Sequence, residues 1–456
     1  MSKSTEIGFQ CLSTIFLGFI YYWIGYELEK TQFHHLLCLY LAAFLLSFYL
    51  FKSGLTLPKL IGLSFSFKMI FLFSIPELSQ DFYRFIWDGM LNTKGYNPYL
   101  HLPIDLIETK TIQNESLSPT LFRGMGQLNA TNFSTYPPIA QLFYTISYAL
   151  GSNSLLINVI SLRVFNLLAE VGLVWFSLKI LTHLKLPEKH ILLFTLNPLV
   201  IIESSFNLHF EVVMLFFLAL GLYYLISSSF YKSAFGMAAA VVSKMLPLMF
   251  LPLLLPYLNP QKSRFNTPQI LKYCKYLGAL LLGIALSYAA FFDTDLLNKS
   301  TRTLSLYFSS FEFNAGIYYI LRQIGFWISG YNQIQVIGTS LSILTLVLIL
   351  YLSFKQRRID SKTLITLMLL SSTCYYLLAT TVHPWYLMLP LFLSIFTRYK
   401  YMLVWSCLVV LSYSAYKPGK VEENFWLLGI EYVVLYVFIV FECFGKKIIF
   451  SRNQSF

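Results

Sequence analysis

The chain has 456 residues, of which 57% are hydrophobic and 12% charged, with Lys and Arg exceeding Asp and Glu by 33 to 21. A soluble domain carries about 25% charged residues, so this composition excludes water as the main solvent of the surface. The net charge of +12 does not mark a nucleic-acid partner, because the basic residues fall in short clusters between apolar blocks, where the positive-inside rule puts them.

The apolar blocks approach the ~20 residues needed to cross hydrocarbon as a helix, and none alternates like a β-barrel strand. They fall at roughly 9–26, 33–51, 59–76, 158–182, 190–206, 208–229, 233–257, 272–292, 334–354, 361–380, 384–397, 400–416 and 424–444. The first reads as a retained helix, since no small-residue cleavage site follows it. Block 233–257 carries Lys244, Pro247 and Pro252 inside it. Proline removes a backbone donor and ends a helix, so two short segments are expected there, with Lys244 at the apex. The expected fold is an all-α integral membrane protein of about 12–14 transmembrane helices, one polytopic domain over residues 1–456.

Two long polar segments, 77–157 and 293–333, interrupt the bundle. Within the first, residues 136–150 open on Pro137 and Pro138 and are too short to span, so they read as an interfacial or re-entrant helix. With the N-terminus cytoplasmic, the inner segments hold 19 Lys and Arg and the outer segments ten, Lys30 and Arg84 among the latter. That bias supports cytoplasmic N- and C-termini. The six cysteines lie in apolar blocks or at their ends, which leaves no disulfide framework and no metal-ligand spacing.

The densest polar motif opens the first outer segment: Asp81-Phe-Tyr-Arg84-Phe-Ile-Trp-Asp88-Gly89, then Gly95-Tyr-Asn-Pro-Tyr99. Seven-residue spacing puts Asp81 and Asp88 on one helical face, with Arg84 between them. An aromatic interfacial helix with a paired charge has the same composition, so the residues alone leave both readings open. Lys244, inside an apolar run, is functional by default unless it snorkels. His209 and Glu211 begin a long apolar helix with Glu203 and Asn207 nearby, a set suited to sugar hydroxyls. A glutamate is also simply favoured at a helix N-terminus, and a His-x-Glu pair is too few ligands for a metal site. His383 opens a turn with Pro384-Trp385-Tyr386, and Arg322 follows the amphipathic stretch 313–321. Arg163, Glu170 and Lys68 lie within apolar blocks and read as helix–helix pairing.

Taken in order, these segments resemble the GT-C-type polytopic glycosyltransferases, most closely the bacterial polyprenol-phosphate-mannose-dependent mannosyltransferases. The resemblance rests on DFYRFIWDG with GYNPY, TYPPIAQ (135–141, with Tyr136), FNLHFEVVML (206–215), SKMLPLMFLPLLL (243–255), FNAGIYYILR (313–322) and TTVHPWYL (380–387). Two features depart from it: Leu208 stands where that group has glycine before the histidine, and three helices precede the aspartate where simpler members have one.

The resemblance implies a GT-C-like bundle with amphipathic outer-loop helices in the bacterial inner membrane. It implies that Asp81 is general base on an acceptor hydroxyl, which displaces polyprenyl phosphate from the anomeric carbon with inversion at the extracytoplasmic face. Arg84, Asp88, Tyr136, His209, Glu211, Lys244, Arg322 and His383 become substrate contacts. The donor would be a polyprenyl-phosphate hexose, mannose by resemblance, and the acceptor a glycan or glycolipid, with no metal or other cofactor. A transporter or flippase of lipid-linked sugars is the rival reading, but it predicts paired repeats with matching broken helices, and only one broken block is visible. A polysaccharide polymerase or ligase would centre on a large outer loop, whereas the signature here sits in the first long one.

Overall fold

The computed structural model describes residues 3–112, 114–258, 267–355 and 359–445. Seven of the basic residues counted above as cytoplasmic (Lys262, Arg264, Arg357, Arg358, Lys446, Lys447, Arg452) lie outside the described residues, as does the end of the chain. Helices α1 (Lys3–Tyr26), α2 (Phe33–Lys52) and α3 (Leu57–Ile70) open the fold. The first polar segment contains α4 (Asp81–Thr93), α5 (Pro103–Glu108), α6 (Ser118–Ala130) and α7 (Pro138–Gly151), and α8 (Leu155–His183) re-enters the bundle. The named strands among the described residues form one short hairpin, Tyr416–Lys417 against Lys420–Val421.

Among the described residues, six helices are long and apolar enough to cross a membrane: α1, α2, α8, and those ending near Phe291, Lys355 and Cys443. A seventh span arises if Pro198–Phe206 and Glu211–Ile226, bent by 113°, count as one. The all-α polytopic class is as expected, but full-length helices are fewer than the expected 12–14. The reason is continuity: several apolar blocks fold as short pieces. Block 59–76 yields the 14-residue α3. Block 233–257 breaks into Phe230–Val241 and Leu246–Leu258, with Lys244 in the turn between them, where the sequence put the apex.

The long helices turn large apolar side chains outward. Leu12, Ile15, Phe16 and Phe19 of α1 are more than half exposed, as are Val336, Ile343, Leu346 and Val347. In water such a surface would aggregate; against lipid it is solvated. Charge goes inside. Lys68 and Glu170 form a fully buried ion pair, and the Lys68 ammonium also donates to the Thr195 carbonyl at 3.0 Å. Arg163 instead donates to main-chain carbonyls, at 2.7 Å to Leu72, 2.9 Å to Ser74, and to Ser205. Asn166 donates to the carbonyls of Ser204 (2.8 Å) and His209 (3.2 Å). Carbonyls freed where a helix ends or bends must find partners inside the protein. Through these contacts α8 ties the chain after α3 to the bend at 202–210.

The first polar segment folds as a layer with its own core. Phe82, Phe85, Ile86 and Met90 of α4 pack with Leu121 and Met125 of α6 and Tyr144 of α7, and Leu208 and Phe210 of the bend join them. A Cβ on Gly89 would overlap the Tyr144 carbonyl, so the close approach of α4 to α7 requires glycine.

Candidate active site

The site begins at the bend. After Pro198 the helix widens into a π turn over Ile202–Phe206, a form that recurs at functional sites. Leu208 then takes φ 63°, the left-handed region that glycine favours. Leu208, where the resemblance leads one to expect glycine, thus occupies a backbone conformation that glycine favours. This turn gathers Glu203, Asn207, His209 and Glu211. Glu203 accepts from the Tyr413 hydroxyl at 2.8 Å and the Asn207 amide at 2.9 Å. The Nε2 of His209 stands 3.5 Å from Glu203 Oε2 and, though buried, makes no hydrogen bond among the described residues.

A column of rings joins distant parts of the chain. His209 stacks on Trp385 (centroids 3.7 Å apart), Trp385 on His383 (4.4 Å), and His383 on Phe313 (4.8 Å). Backbone bonds of Phe313 with Thr380 (3.0 Å) and Val382 (2.8 Å) dock the second polar segment at this point. Tyr416 lies 5.8 Å from both Phe313 and Tyr413, centroid to centroid.

The cluster has a partly exposed front and a buried back. Asp81, Lys30, Lys244, His383, Tyr386 and Tyr416 keep partial exposure, whereas Glu203, His209 and Glu211 are buried. Asp81 is the first residue of α4, and its backbone N–H donates to the Ser79 hydroxyl at 3.3 Å. Lys244 is ion-paired with Glu211 and lies 4.9 Å from the Tyr386 ring centroid. Lys30, from the turn between α1 and α2, sits over the Tyr416 ring at 3.6 Å.

Burial pushes the Asp81 carboxyl above the ordinary carboxylate range, opposed by Lys30, then Lys244, then the Asn129 amide. Burial likewise pushes the Lys30 ammonium down to about 8, against the carboxylates of Asp81, Glu203 and Glu77. His383 is pushed down to about 3 by burial, with Lys30 and Lys244 adding to the effect, so its imidazole is neutral at ordinary pH.

The structure thus brings together Asp81, His209, Glu211, Lys244 and His383. The other expected contacts are engaged in interactions of their own. Arg84 and Asp88 are buried and paired at 2.7 Å. Arg84 also donates to the carbonyls of Asn132 (2.9 Å) and Asn129, and Asp88 accepts from Gln141 (2.9 Å) and Ser134. The Tyr136 carbonyl accepts from Tyr99, and its ring meets Phe85 edge-on in the loop core. Arg322 pairs with Glu312 at 2.6 Å and packs on Tyr319. Sequence reasoning did not single out Lys30, Tyr413 or Tyr416. The one signal for Lys30 was the charge distribution, which put it on the same side as Asp81. Among the described residues, no three of His, Cys, Asp and Glu are grouped to hold a metal ion.

Fold and composition together define a polytopic membrane protein: a lipid-facing helical bundle that gathers a cluster of polar and charged side chains at the edge of a helical loop layer. Residues 32–259, half of the chain, match the family model described as alpha-(1->6)-mannopyranosyltransferase, N-terminal domain. The chain belongs to that family and is a mannosyltransferase. The matched segment contains Asp81, Glu203, His209, Glu211 and Lys244, while Lys30, Arg322 and His383 lie outside it. No curated protein matches the chain.

Proposed function

We propose that this protein transfers mannose from a polyprenyl-phosphate donor to a hydroxyl of a glycan or glycolipid acceptor, with inversion, at the extracytoplasmic face of a bacterial plasma membrane. One observation carries the reading. Of Asp81, Glu203 and Glu211, Asp81 alone is both partly exposed and, among the described residues, free of an ion pair. Glu211 is closed by Lys244, and Glu203 is held by Tyr413 and Asn207. A carboxylate with a raised proton affinity, within reach of incoming substrate, is what a general base needs.

Asp81 takes the acceptor hydroxyl proton as that oxygen attacks the anomeric carbon opposite the phosphate. The bond from the anomeric carbon to the phosphate oxygen breaks, and its electron pair stays on that oxygen. A singly charged diester thereby becomes a phosphate monoester with one more negative charge. Ammonium groups fixed at the cleft stabilise that charge as it develops, so the reading calls for no metal or other cofactor. His209, whose Nε2 makes no hydrogen bond among the described residues, at the buried back, and His383, at the partly exposed front, are the sugar-facing groups, with Glu211 orienting Lys244. Arg84 and Asp88 hold the loop layer that carries Asp81, Tyr136 packs in that layer, and Arg322 anchors the second polar segment. The membrane face is inferred from the charge bias of the loops, with both termini cytoplasmic.

The test is transfer by the purified protein from a panel of polyprenyl-phosphate sugars. Asp81→Asn is expected to abolish transfer without changing thermal stability or monodispersity. Near wild-type turnover in that variant overturns the assignment of the base. A reporter fusion that puts residue 81 in the cytoplasm overturns the assigned face.

A further inference from the structure

We infer that Lys30, carried into the cleft by the turn between the first two helices, is the cation that receives the leaving phosphate. The inference rests on the donor chemistry proposed above. It assigns a role to a residue just before the family-matched segment begins at 32.

The two lysines of the cleft are not equivalent. Lys244 is ion-paired with Glu211, whose side chain is 2% exposed, so that charge is already answered by a carboxylate that pairs with no other cation among the described residues. Lys30 makes no ion pair and no hydrogen bond within the described residues; its close contact is the face of Tyr416 at 3.6 Å. A ring face attracts an ammonium by about 0.5–2 kcal/mol but takes up none of its three N–H donors. A partly buried ammonium with open donors is a receptor for an oxyanion. Tyr416 is itself fixed by the strand pairing of Tyr416 with Val421 and by its packing on Phe313.

The charges around Lys30 suit this step. Asp81, Glu203 and Glu77 are its charged neighbours, and its field also reaches His209 and His383. Asp81 in turn feels Lys30 first and Lys244 second, with Asn129 beside it; Glu211, Tyr144 and Tyr416 also lie within its field. When Asp81 accepts the acceptor proton it loses one negative charge, and the phosphate gains one as its ester bond breaks. Negative charge thus passes from Asp81 to the phosphate while Lys30 stays fixed beside both. The cation changes partner rather than gaining one. That arrangement favours the transition state over the resting complex, in which Asp81 still competes for it.

The experiment uses the full-length protein in nanodiscs and reads inhibition of transfer by polyprenyl phosphate, by the matching neutral polyprenol and by inorganic phosphate. Lys30→Met is expected to weaken inhibition by polyprenyl phosphate about tenfold or more, the scale of a hydrogen bond to a charged group. Inhibition by polyprenol is expected to stay unchanged, and kcat to fall more than KM rises. Lys30→Arg is expected to restore phosphate inhibition. Inorganic phosphate is expected not to inhibit; inhibition as strong as that of the lipid phosphate overturns the lipid-borne source. Equal weakening by phosphate and alcohol in Lys30→Met indicates a merely structural lysine and overturns the inference, as does no weakening of either. Should Lys30→Met fail to fold, Lys30→Gln carries the same comparison. A wild-type enzyme insensitive to polyprenyl phosphate overturns the donor assignment itself, and this inference with it.

Discussion

The imidazole of His209 lies flat on the indole of Trp385, with ring centroids 3.7 Å apart and planes 15° from parallel. The other face of the same indole carries His383 at 4.4 Å. Trp385 is therefore the spacer that sets two histidines, 174 positions apart in the chain, into one wall. Trp385→Ala removes support from both at once. Large-to-small changes of buried aromatics cost about 3–5 kcal/mol, so thermal unfolding should shift down clearly and transfer should fall by an order of magnitude or more. Trp385→Phe keeps a ring in the column and should retain most of both. Wild-type turnover in Trp385→Ala would show that the wall plays no part in the reaction.

The pH profile follows from two groups with opposite requirements. Asp81 must be ionised to take a proton. Burial raises its pKa, with Lys30 and then Lys244 opposing, so kcat/KM falls as pH drops through that raised value. Lys30 must be protonated to meet phosphate. Burial lowers it to about 8, so kcat/KM falls again as pH rises through about 8. The expected curve is a bell with its alkaline limb near that value. A guanidinium stays protonated throughout, so Lys30→Arg should move the alkaline limb upward and leave the acid limb in place. An alkaline limb unmoved in that variant belongs to another group.

The Arg84–Asp88 pair is expected to act on stability rather than on chemistry. Both side chains are almost fully buried, and the Asp88 carboxylate is filled by Arg84, Gln141 and Ser134. Removing one partner of a buried pair costs about 3–5 kcal/mol, because the other charge is left uncompensated. Asp88→Asn and Arg84→Met should each lower the unfolding temperature strongly, and the double variant should lose less than the sum. A variant Asp88→Asn that unfolds like wild type yet transfers no sugar would return Asp88 to the reaction.

The polytopic class was legible in the sequence because apolar blocks and sparse charge depend on composition alone. The break at Lys244 was legible because prolines and a lysine interrupt an apolar run. Full-length helices were harder to count, since hydropathy records apolarity and not continuity. The bend after Phe206 carries no proline and turns on the backbone of Leu208. The spacing of Asp81, Arg84 and Asp88 gave their shared face but not which of them the loop core would cover. That was decided by Ser134 and Gln141, roughly fifty residues away. Lys30 had no local pattern at all, because its meaning comes from Tyr416 at the other end of the chain.

Leu208 poses a question of sign. Its φ of 63° is costly for a branched side chain, and releasing such strain is worth about 1–3 kcal/mol. On strain alone, Leu208→Gly should stabilise the protein. The side chain, however, is fully buried among the aromatic residues of the loop layer. Truncating a buried leucine to alanine costs about 2–5 kcal/mol, and glycine adds roughly 0.5–1 kcal/mol of chain entropy. At mid-range values packing outweighs strain, and Leu208→Gly should lower the unfolding temperature by an amount equivalent to about 2 kcal/mol, the difference of those mid-range terms. Because Leu208 and Phe210 fasten the layer carrying Asp81 to the turn carrying His209, the variant should also lose turnover beyond what its lower stability explains. Thermal unfolding and steady-state transfer on the same preparation decide it. A variant that unfolds at a higher temperature than wild type would mean that strain, not packing, dominates at this turn.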